Sequence, residues 1–258
     1  MLSPGDVEQF LTTRYIGTKL VLLPTAGSTN DIARQLAAGG TPVGTVVVAE
    51  QQTAGRGRRG RTWVSPPGCL YLSVVLRPRL HPSNAFYLTM LAAIAVLDGV
   101  YGEAGLTCQV KWPNDILVGG KKLAGILTET STTGDSLDFA VVGIGLNVNL
   151  DATAFPEIAR TATSLSGELG RDVSRAPVLA SVLGQMERWY DELRAGNTAL
   201  IYRHWRDSLA YIGQKVTVAH ESGSWEGIAE DADADGTLVL RQADGRVRRV
   251  TVGDVMAI

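Results

Sequence analysis

The pattern of apolar and polar positions divides the chain into two regions of different texture. In the first 207 residues, short apolar or β-branched runs predict buried strands at residues 20–23, 45–49, 70–76 and 139–146. Apolar residues at helical spacing predict helices over residues 32–38, 83–101, 177–193 and 199–205. From residue 208, short alternating runs separated by Gly, Asp and Ser turns are typical of a small all-β barrel or sandwich. We therefore predict an α+β domain over residues 1–207 and a β module over residues 208–258.

A hairpin is predicted in the middle of the first region. The apolar run at residues 116–118 is followed by Gly119 and Gly120, and a second run begins at Lys121. Paired glycines allow the positive φ angles of a tight turn.

Composition narrows the class of protein. The chain has 258 residues, of which 45% are hydrophobic and 19% are charged, so it can build a core and we expect little disorder. Cys69 and Cys108 are too few for a disulfide scaffold, and no Cys/His cluster suggests zinc. The N-terminus lacks the pattern of a signal peptide, and the apolar stretch at residues 88–97 is shorter than the ~20 residues of a membrane span. We expect a soluble cytoplasmic protein without a membrane partner.

Charge is distributed unevenly, although the net charge is only −2. Residues 51–97 contain no Asp or Glu but carry Arg56, Arg58, Arg59, Arg61, Arg77 and Arg79. Residues 216–240 contain no Lys or Arg but carry Glu221, Glu226, Glu230, Asp231, Asp233 and Asp235. This pattern predicts a local anion site and argues against nucleic acid as a partner.

The arginine segment (residues 55–63) superficially matches a dinucleotide fingerprint. Its glycines fit GxGxxG after a predicted strand, but Pro66, Pro67 and Gly68 prevent the helix that must follow. An acidic residue about 20 positions further on is also missing. Four guanidinium groups in six residues repel one another by a few kcal/mol at an effective dielectric near 20, so we expect the segment to stay mobile until a triphosphate or carboxylate orders it. The alternative is a solvated surface loop.

Three further segments carry candidate chemistry. Lys111-Trp112-Pro113-Asn114-Asp115 places an amide and a carboxylate before a strand. Residues 122–127 put Lys122 at the start of a strand beside small residues, and residues 143–149 end another strand with glycines and two amides. Taken singly, each also has a structural explanation as an edge lysine, a turn or a bulge.

Together these segments resemble one family, the biotin protein ligases. The resemblance is carried, in the family's order, by residues 27–30, 50–61, 111–115, 122–127 and 143–147. It implies a mixed β-sheet catalytic domain with helices, followed by an SH3-like β module. Repressor-type members carry an N-terminal winged helix-turn-helix, whereas here the first family strand begins by Leu20, so the monofunctional form is expected.

The resemblance also implies an activity. Biotin and ATP give biotinoyl-5′-AMP and pyrophosphate, and a lysine of a biotin carboxyl carrier domain, in acetyl-CoA carboxylase or a related enzyme, then takes the biotinyl group. ATP and Mg²⁺ are the implied cofactors, and a homodimer is possible.

Residue roles follow by resemblance. Arg56 is expected to meet the biotin carboxylate, Lys122 to bridge carboxylate and phosphate, and Asp115 to hold Mg²⁺ or orient the incoming lysine. ATP or the adenylate is expected to contact Arg56, Arg58, Arg59, Arg61 and Lys122, and Arg58 is also expected to contact biotin.

The remaining expected contacts are with biotin and with the adenine ring of ATP. Those with biotin involve Ser28, Thr29, Asn30, Gln52, Gly57 and Gly125. Trp63 is expected to pack on adenine, and Asn147 to lie near it. Ser28 can alternatively act as a helix cap, and Trp63 as a hydrophobic plug.

Two rival functions remain at this point. Lipoate or octanoate ligases and transferases share a related fold, and binding of biotin against lipoate discriminates them. A nucleic-acid-binding regulator would show a steep salt dependence of DNA affinity.

Overall fold

The computed structural model describes residues 1–220 and 223–258, so Glu221 of the predicted acidic stretch lies outside the described residues. A seven-stranded sheet forms the larger domain. Its strands are β1 (Leu20–Leu23), β2 (Val46–Ala49), β3 (Leu70–Leu76), β4 (Gln109–Lys111), β5 (Asp115–Val118), β6 (Lys121–Thr133) and β7 (Ser136–Leu146). They lie in the order β1-β2-β3-β7-β6-β5-β4, in which β1 and β2 are parallel and the other neighbours antiparallel. The predicted mixed sheet and the β5–β6 hairpin are confirmed.

Helices cover both faces of this sheet. They are α1 (Pro4–Glu8), α2 (Thr29–Ala38), α3 (Phe86–Ala104), α4 (Leu165–Leu169), α5 (Arg175–Arg194) and α6 (Thr198–Asp207). On one face α2 packs Ala33 and Ala37 against the sheet, while α3, α5 and α6 form the larger core on the other face. Strand β3 is buried along its whole length because side chains on both of its faces meet a helical layer.

Helix α3 has the predicted length of 19 residues but begins and ends three residues later than predicted. Together with the turn before it, it covers 82–104 and has the length and composition of a membrane span. However, 61% of its most apolar window is buried within the protein. It packs closely on α5, since a Cβ at Gly99 would lie 2.9 Å from the Cα of Val182.

A carboxylate in α5 fixes the chain that precedes β1. Glu187 accepts backbone N–H bonds from Arg14, Tyr15 and Ile16 at 2.8–2.9 Å. Burial alone would raise the pKa of Glu187, but these donors outweigh it and hold the pKa below its ordinary value. This anchor joins chain positions more than 170 residues apart.

The C-terminal region forms a second, fully antiparallel sheet. Its strands are β8 (Lys215–His220), β9 (Gly223–Ala232), β10 (Leu238–Arg241), β11 (Val247–Val250) and β12 (Asp254–Ala257), in the order β11-β10-β9-β8-β12. The small all-β module is therefore confirmed, and β12 is a strand that the sequence pattern did not predict. The Trp112 indole donates to the carbonyl of Gly236 at 2.7 Å, and the Tyr202 hydroxyl of α6 donates to that of Ala232 at 2.8 Å. These bonds join the β4–β5 connection and α6 to the C-terminal sheet.

The acidic stretch is neutralised largely within the chain. Asp231 accepts from Arg206 of α6 at 2.8 Å, and Asp233 pairs with Arg249. Glu230 pairs with Arg241 in the neighbouring strand. These ion pairs balance the acidic charge locally and join the module to α6, although exposed pairs of this kind contribute only about 0–1 kcal/mol each.

Candidate active site

A cavity of about 730 Å³, including its open mouth, lies over the ends of β6 and β7. Twelve of the residues proposed from the sequence line it: Ser28, Thr29, Asn30, Gln52, Arg56, Gly57, Arg58, Arg61, Trp63, Asp115, Lys122 and Gly125. Arg59 and Asn147 are not part of the described lining. Tertiary folding thus brings together segments that are more than 90 residues apart in the chain.

One end of the cavity is neutral and polar, and it is built at the start of α2. The side-chain oxygen of Gln52 accepts from the backbone N–H of Thr29 at 2.9 Å and from its hydroxyl at 3.2 Å, while the Gln52 amide donates to Ser65 at 3.1 Å. Ser28 occupies the N-cap position but makes no capping hydrogen bond within the described residues. Ser28 thus lines the cavity from the N-cap position without capping the helix.

Ser73 completes this network from the buried strand β3. Its hydroxyl contacts the side-chain oxygen of Asn30 at 2.6 Å and that of Thr29 at 2.8 Å. Sequence reasoning missed Ser73, and the available signal was a hydroxyl inside a run of apolar residues. Gly143 is required beside it, because a Cβ there would lie 2.2 Å from the Asn30 oxygen.

Arg56 is held by two carboxylates that were also missed. Its guanidinium contacts Asp31 at 2.8 Å and Glu129 at 3.2 Å. The same Glu129 oxygen accepts from the Asn30 amide at 2.7 Å. Glu129 therefore links the neutral end of the cavity to the charged end.

The rest of the arginine segment is also paired within the chain. Arg58 donates to the side-chain oxygen of Asn114 at 3.1 Å, and Arg61 pairs with Asp254 of the C-terminal sheet. Arg59 lies 3.9 Å from the same carboxylate and has a left-handed φ of 58°. The repulsion expected among these arginines is thus offset by carboxylates and an amide from other elements.

Desolvation and neighbouring charges act on Arg58 in opposite directions. Burial lowers the pKa of its guanidinium, and the carboxylates of Asp254 and Asp115 oppose that shift. Arg59 and Arg61 add to the lowering. Arg58 is therefore a partly desolvated cation, which interacts more strongly with an incoming anion than a fully hydrated one.

Lys122 and Asp115 form an ion pair at 2.8 Å across the β5–β6 hairpin. The ammonium also lies 4.8 Å from the ring centroid of Trp63. Within the described residues there is no group of three or more His, Cys, Asp or Glu that could hold a metal ion. The expected metal-ligand role of Asp115 accordingly competes with its pairing to Lys122.

Trp63 lies flat against two glycines of the sheet. A Cβ at Gly125 or Gly145 would come within 2.7 or 2.5 Å of its indole. The indole N–H is buried and has no hydrogen-bond partner in the part of the chain that the structure describes. In this state Trp63 fills space beside Lys122, as the alternative of a hydrophobic plug proposes, and its packing on adenine stays a prediction.

Asn147 has a structural position at the end of β7. Its amide donates to the carbonyl of Thr163 at 2.9 Å and approaches that of Lys122 at 3.4 Å. These bonds fix the backbone beside Lys122. The expected place of Asn147 near adenine stays a prediction.

Comparison with known families matches both regions of the chain. Residues 22–147 match the Biotin/lipoate A/B protein ligase family, and residues 211–256 match the Biotin protein ligase C terminal domain. The second match distinguishes this chain from the lipoate branch of the broader family.

Whole-chain relatives agree with these matches. The Bifunctional ligase/repressor BirA of Bacillus spizizenii is 36% identical over 98% of this chain and 78% of the relative. The Biotin--[acetyl-CoA-carboxylase] ligase of Mycobacterium tuberculosis is 36% identical over 99% of this chain and 97% of the relative. Among solved structures, a biotin protein ligase from Aquifex aeolicus in complex with biotin and ATP aligns with a TM-score of 0.78 at 28% identity, covering 93% of this chain and 98% of that one. The chain therefore belongs to the biotin protein ligase family.

Proposed function

We propose that this cavity is the site at which the chain, an ATP-dependent biotin ligase, activates biotin and passes it to a carrier protein. The observation that carries the proposal is the junction of a neutral hydrogen-bonding end with a cluster of cations in one cavity. Biotin has the matching form, since its ureido head is neutral and its tail ends in a carboxylate.

The neutral end would bind the ureido head. Thr29 and Asn30 are oriented by Gln52 and Ser73, so their polar atoms are fixed before a ligand arrives. A few preorganised hydrogen bonds inside an apolar pocket are sufficient to orient a small neutral ligand. Gly143 leaves room for Asn30 in this arrangement.

The charged end would carry out adenylation. An oxygen of the biotin carboxylate attacks the α-phosphorus of ATP, the bond to the bridging oxygen breaks, and pyrophosphate leaves with its electron pair. Because both reactants are anions, cations must hold them together. Arg56 would bind the carboxylate, Arg58 and Arg61 the phosphates, and Lys122 the oxygens on which charge develops.

Transfer then uses the mixed anhydride. A carrier lysine first releases its ammonium proton to solvent, and the neutral amine attacks the biotinyl carbonyl carbon. The bond to AMP breaks, AMP leaves with the electron pair, and the nitrogen gives a further proton to solvent as the amide forms. Asp115 lines the cavity beside Lys122, where its carboxylate can accept a hydrogen bond from the incoming amine and orient it. The partner is a biotin carboxyl carrier domain, in keeping with the name of the mycobacterial relative.

Magnesium would enter with the nucleotide. Mg²⁺ in nucleotide sites takes one or two carboxylates and completes its shell with phosphates and water. Asp115 is paired with Lys122, and the described residues contain no group of three or more His, Cys, Asp or Glu that could hold a metal ion. Any magnesium ion would neutralise charge on the triphosphate, and the steps above depend on the chain's own cations.

The direct test is mass spectrometry of a carrier domain incubated with this protein, ATP, Mg²⁺ and biotin. We expect the addition of one biotinyl group at a single lysine, accompanied by AMP and pyrophosphate. A parallel reaction with lipoate should leave the carrier domain unmodified. A carrier domain modified by lipoate in preference to biotin would overturn the proposal.

A further inference from the structure

Asp254 is a carboxylate of the C-terminal sheet that reaches into the cavity of the other domain. It begins β12, its backbone pairs with Ala219 of β8, and its side chain lines the cavity. Only 21% of that side chain is exposed. It pairs with Arg61 and lies 3.9 Å from Arg59. Sequence reasoning left the role of the C-terminal module open, and this contact gives the module a direct link to the arginine segment.

A carboxylate in this place is a competitor for phosphate. A guanidinium group binds phosphate and carboxylate oxygens through the same pair of N–H donors. Arg61 therefore cannot form both of these hydrogen bonds with Asp254 and with a phosphate at the same time. A triphosphate beside Asp254 would also place like charges together in a partly desolvated site. The Arg61 side chain is 60% exposed, which leaves it room to turn from one anion to the other.

We propose that Asp254 is a displaceable counter-ion of the arginine segment and a positioning residue for both half-reactions. This inference rests on the proposed function. Asp254 pairs with Arg61 at the cavity when phosphate is absent, with Arg59 nearby, and Arg61 turns from Asp254 to the phosphates when the triphosphate binds. After pyrophosphate has left, Asp254 pairs with Arg61 again and closes the segment over the adenylate.

This exchange predicts two opposite effects of one substitution. In Asp254→Asn the triphosphate no longer has to displace a carboxylate, so ATP should bind more tightly. The same variant lacks the charge that draws the segment back after pyrophosphate release, so biotinoyl-AMP should escape faster. A merely structural role would weaken both nucleotide binding and adenylate retention.

The first experiment is calorimetry of ATP binding to the full chain without biotin, so that no reaction occurs. We expect Asp254→Asn to bind ATP about two- to fivefold more tightly than the wild type, the size typical of a partly exposed ion pair. The matched control is Asp233→Asn, which removes the same charge from a pair with Arg249 in the same module, outside the cavity. ATP affinity in this control should equal that of the wild type.

The second experiment measures the rate at which preformed biotinoyl-AMP leaves the protein. We expect a rate about two- to fivefold higher in Asp254→Asn and a rate near that of the wild type in Asp254→Glu, which keeps the charge. Unchanged or weaker ATP binding in Asp254→Asn, unchanged escape, or an equal effect of Asp233→Asn would each overturn the inference. If the wild type itself binds no ATP, the proposed function fails instead, so the two failures are distinguishable.

Discussion

The two ends of the cavity are built on different physical principles. At the neutral end, Gln52 and Ser73 fix the polar atoms of Thr29 and Asn30 through hydrogen bonds of 2.6–3.2 Å. At the charged end, each of the cations Arg56, Arg61 and Lys122 lies against a carboxylate of the chain. At the neutral end the hydrogen-bonding atoms are fixed before a ligand binds, whereas at the charged end the cation charges are already balanced by carboxylates of the chain.

This difference predicts that the neutral end contributes most of the binding affinity for a neutral group, and that the charged end exchanges anions. A ligand at the neutral end gains from groups that need little rearrangement, because the order is already present in the free protein. An anion at the charged end exchanges one carboxylate for another, so its net gain is smaller than the number of cations suggests. In the proposed function, this exchange would let the charged end bind the reacting anions and still release pyrophosphate.

The largest expected effect is at Lys122. In Lys122→Ala we expect adenylation to fall by ~100-fold or more, as for the loss of other preorganised electrostatic donors. Pyrophosphate release with biotin and ATP measures this step. The neighbouring exposed residue supplies the control, because Lys121→Ala should retain the wild-type rate. Near-normal release from the Lys122 variant would remove this residue from the mechanism.

Next in size is the loss of Arg56. Arg56→Ala should speed the escape of biotinoyl-AMP by roughly tenfold or more, since hydrogen bonds to charged groups contribute about 1.5–3 kcal/mol. Promiscuous labelling of lysines on a bystander protein reports the escape. Arg34→Ala is the matched control, because Arg34 also pairs with Asp31 but does not line the cavity. Equal retention of adenylate by wild type and Arg56→Ala would contradict the role given to the charged end.

The neutral end is tested at Gly143. A methyl group there would displace the Asn30 oxygen, and disturbing such a buried bond costs about 1–3 kcal/mol, so Gly143→Ala should weaken biotin binding about tenfold. Calorimetry with biotin alone measures it. Gly184→Ala in α5 is the control, since a Cβ there meets nothing within 4 Å. Full biotin affinity in Gly143→Ala would mean that Asn30 is not preorganised for the ligand.

The smallest effect should come from salt. Between 0.1 M and 1 M ionic strength the Debye length falls from about 10 Å to about 3 Å, so we expect ATP affinity to drop about threefold. Biotin affinity should change less than about twofold, because most of its contacts are neutral hydrogen bonds. Titrations of both ligands at the two ionic strengths check this. An equal salt dependence would erase the distinction between the two ends.

Much of the fold could be predicted from local pattern. Strands β1 and β3 have the predicted bounds, and the glycine pair before Lys121 marks the β5–β6 hairpin. Residues 61–69, all of which the structure describes, form no helix, as the prolines require. The prediction placed α3 three residues too early, because the apolar run itself does not show where the helix begins and ends. Short elements such as β4 and α4 were missed, since they carry too few residues to show a period.

The missed site residues have a different cause. Ser73, Glu129 and Asp254 contact Asn30, Arg56 and Arg61 across separations of 43, 73 and 193 residues. The spacing of residues along the chain does not show which residues so far apart will be in contact. The family motifs identified the cations and Asp115, but the carboxylates that hold Arg56 and Arg61 could be found only from the folded chain.

The sequence by itself determined the kinds of group available for the chemistry: an arginine-rich segment, a lysine at a strand start, and glycines where a ligand or a side chain needs space. These choices are local, because charge and the absence of a Cβ belong to single residues. Tertiary structure alone decided the pairing, since long-range packing brings Asp31, Glu129 and Asp254 within contact of the arginines. Coulomb interactions depend on distance in space and on desolvation, and both are set only when the two sheets and their helices pack together.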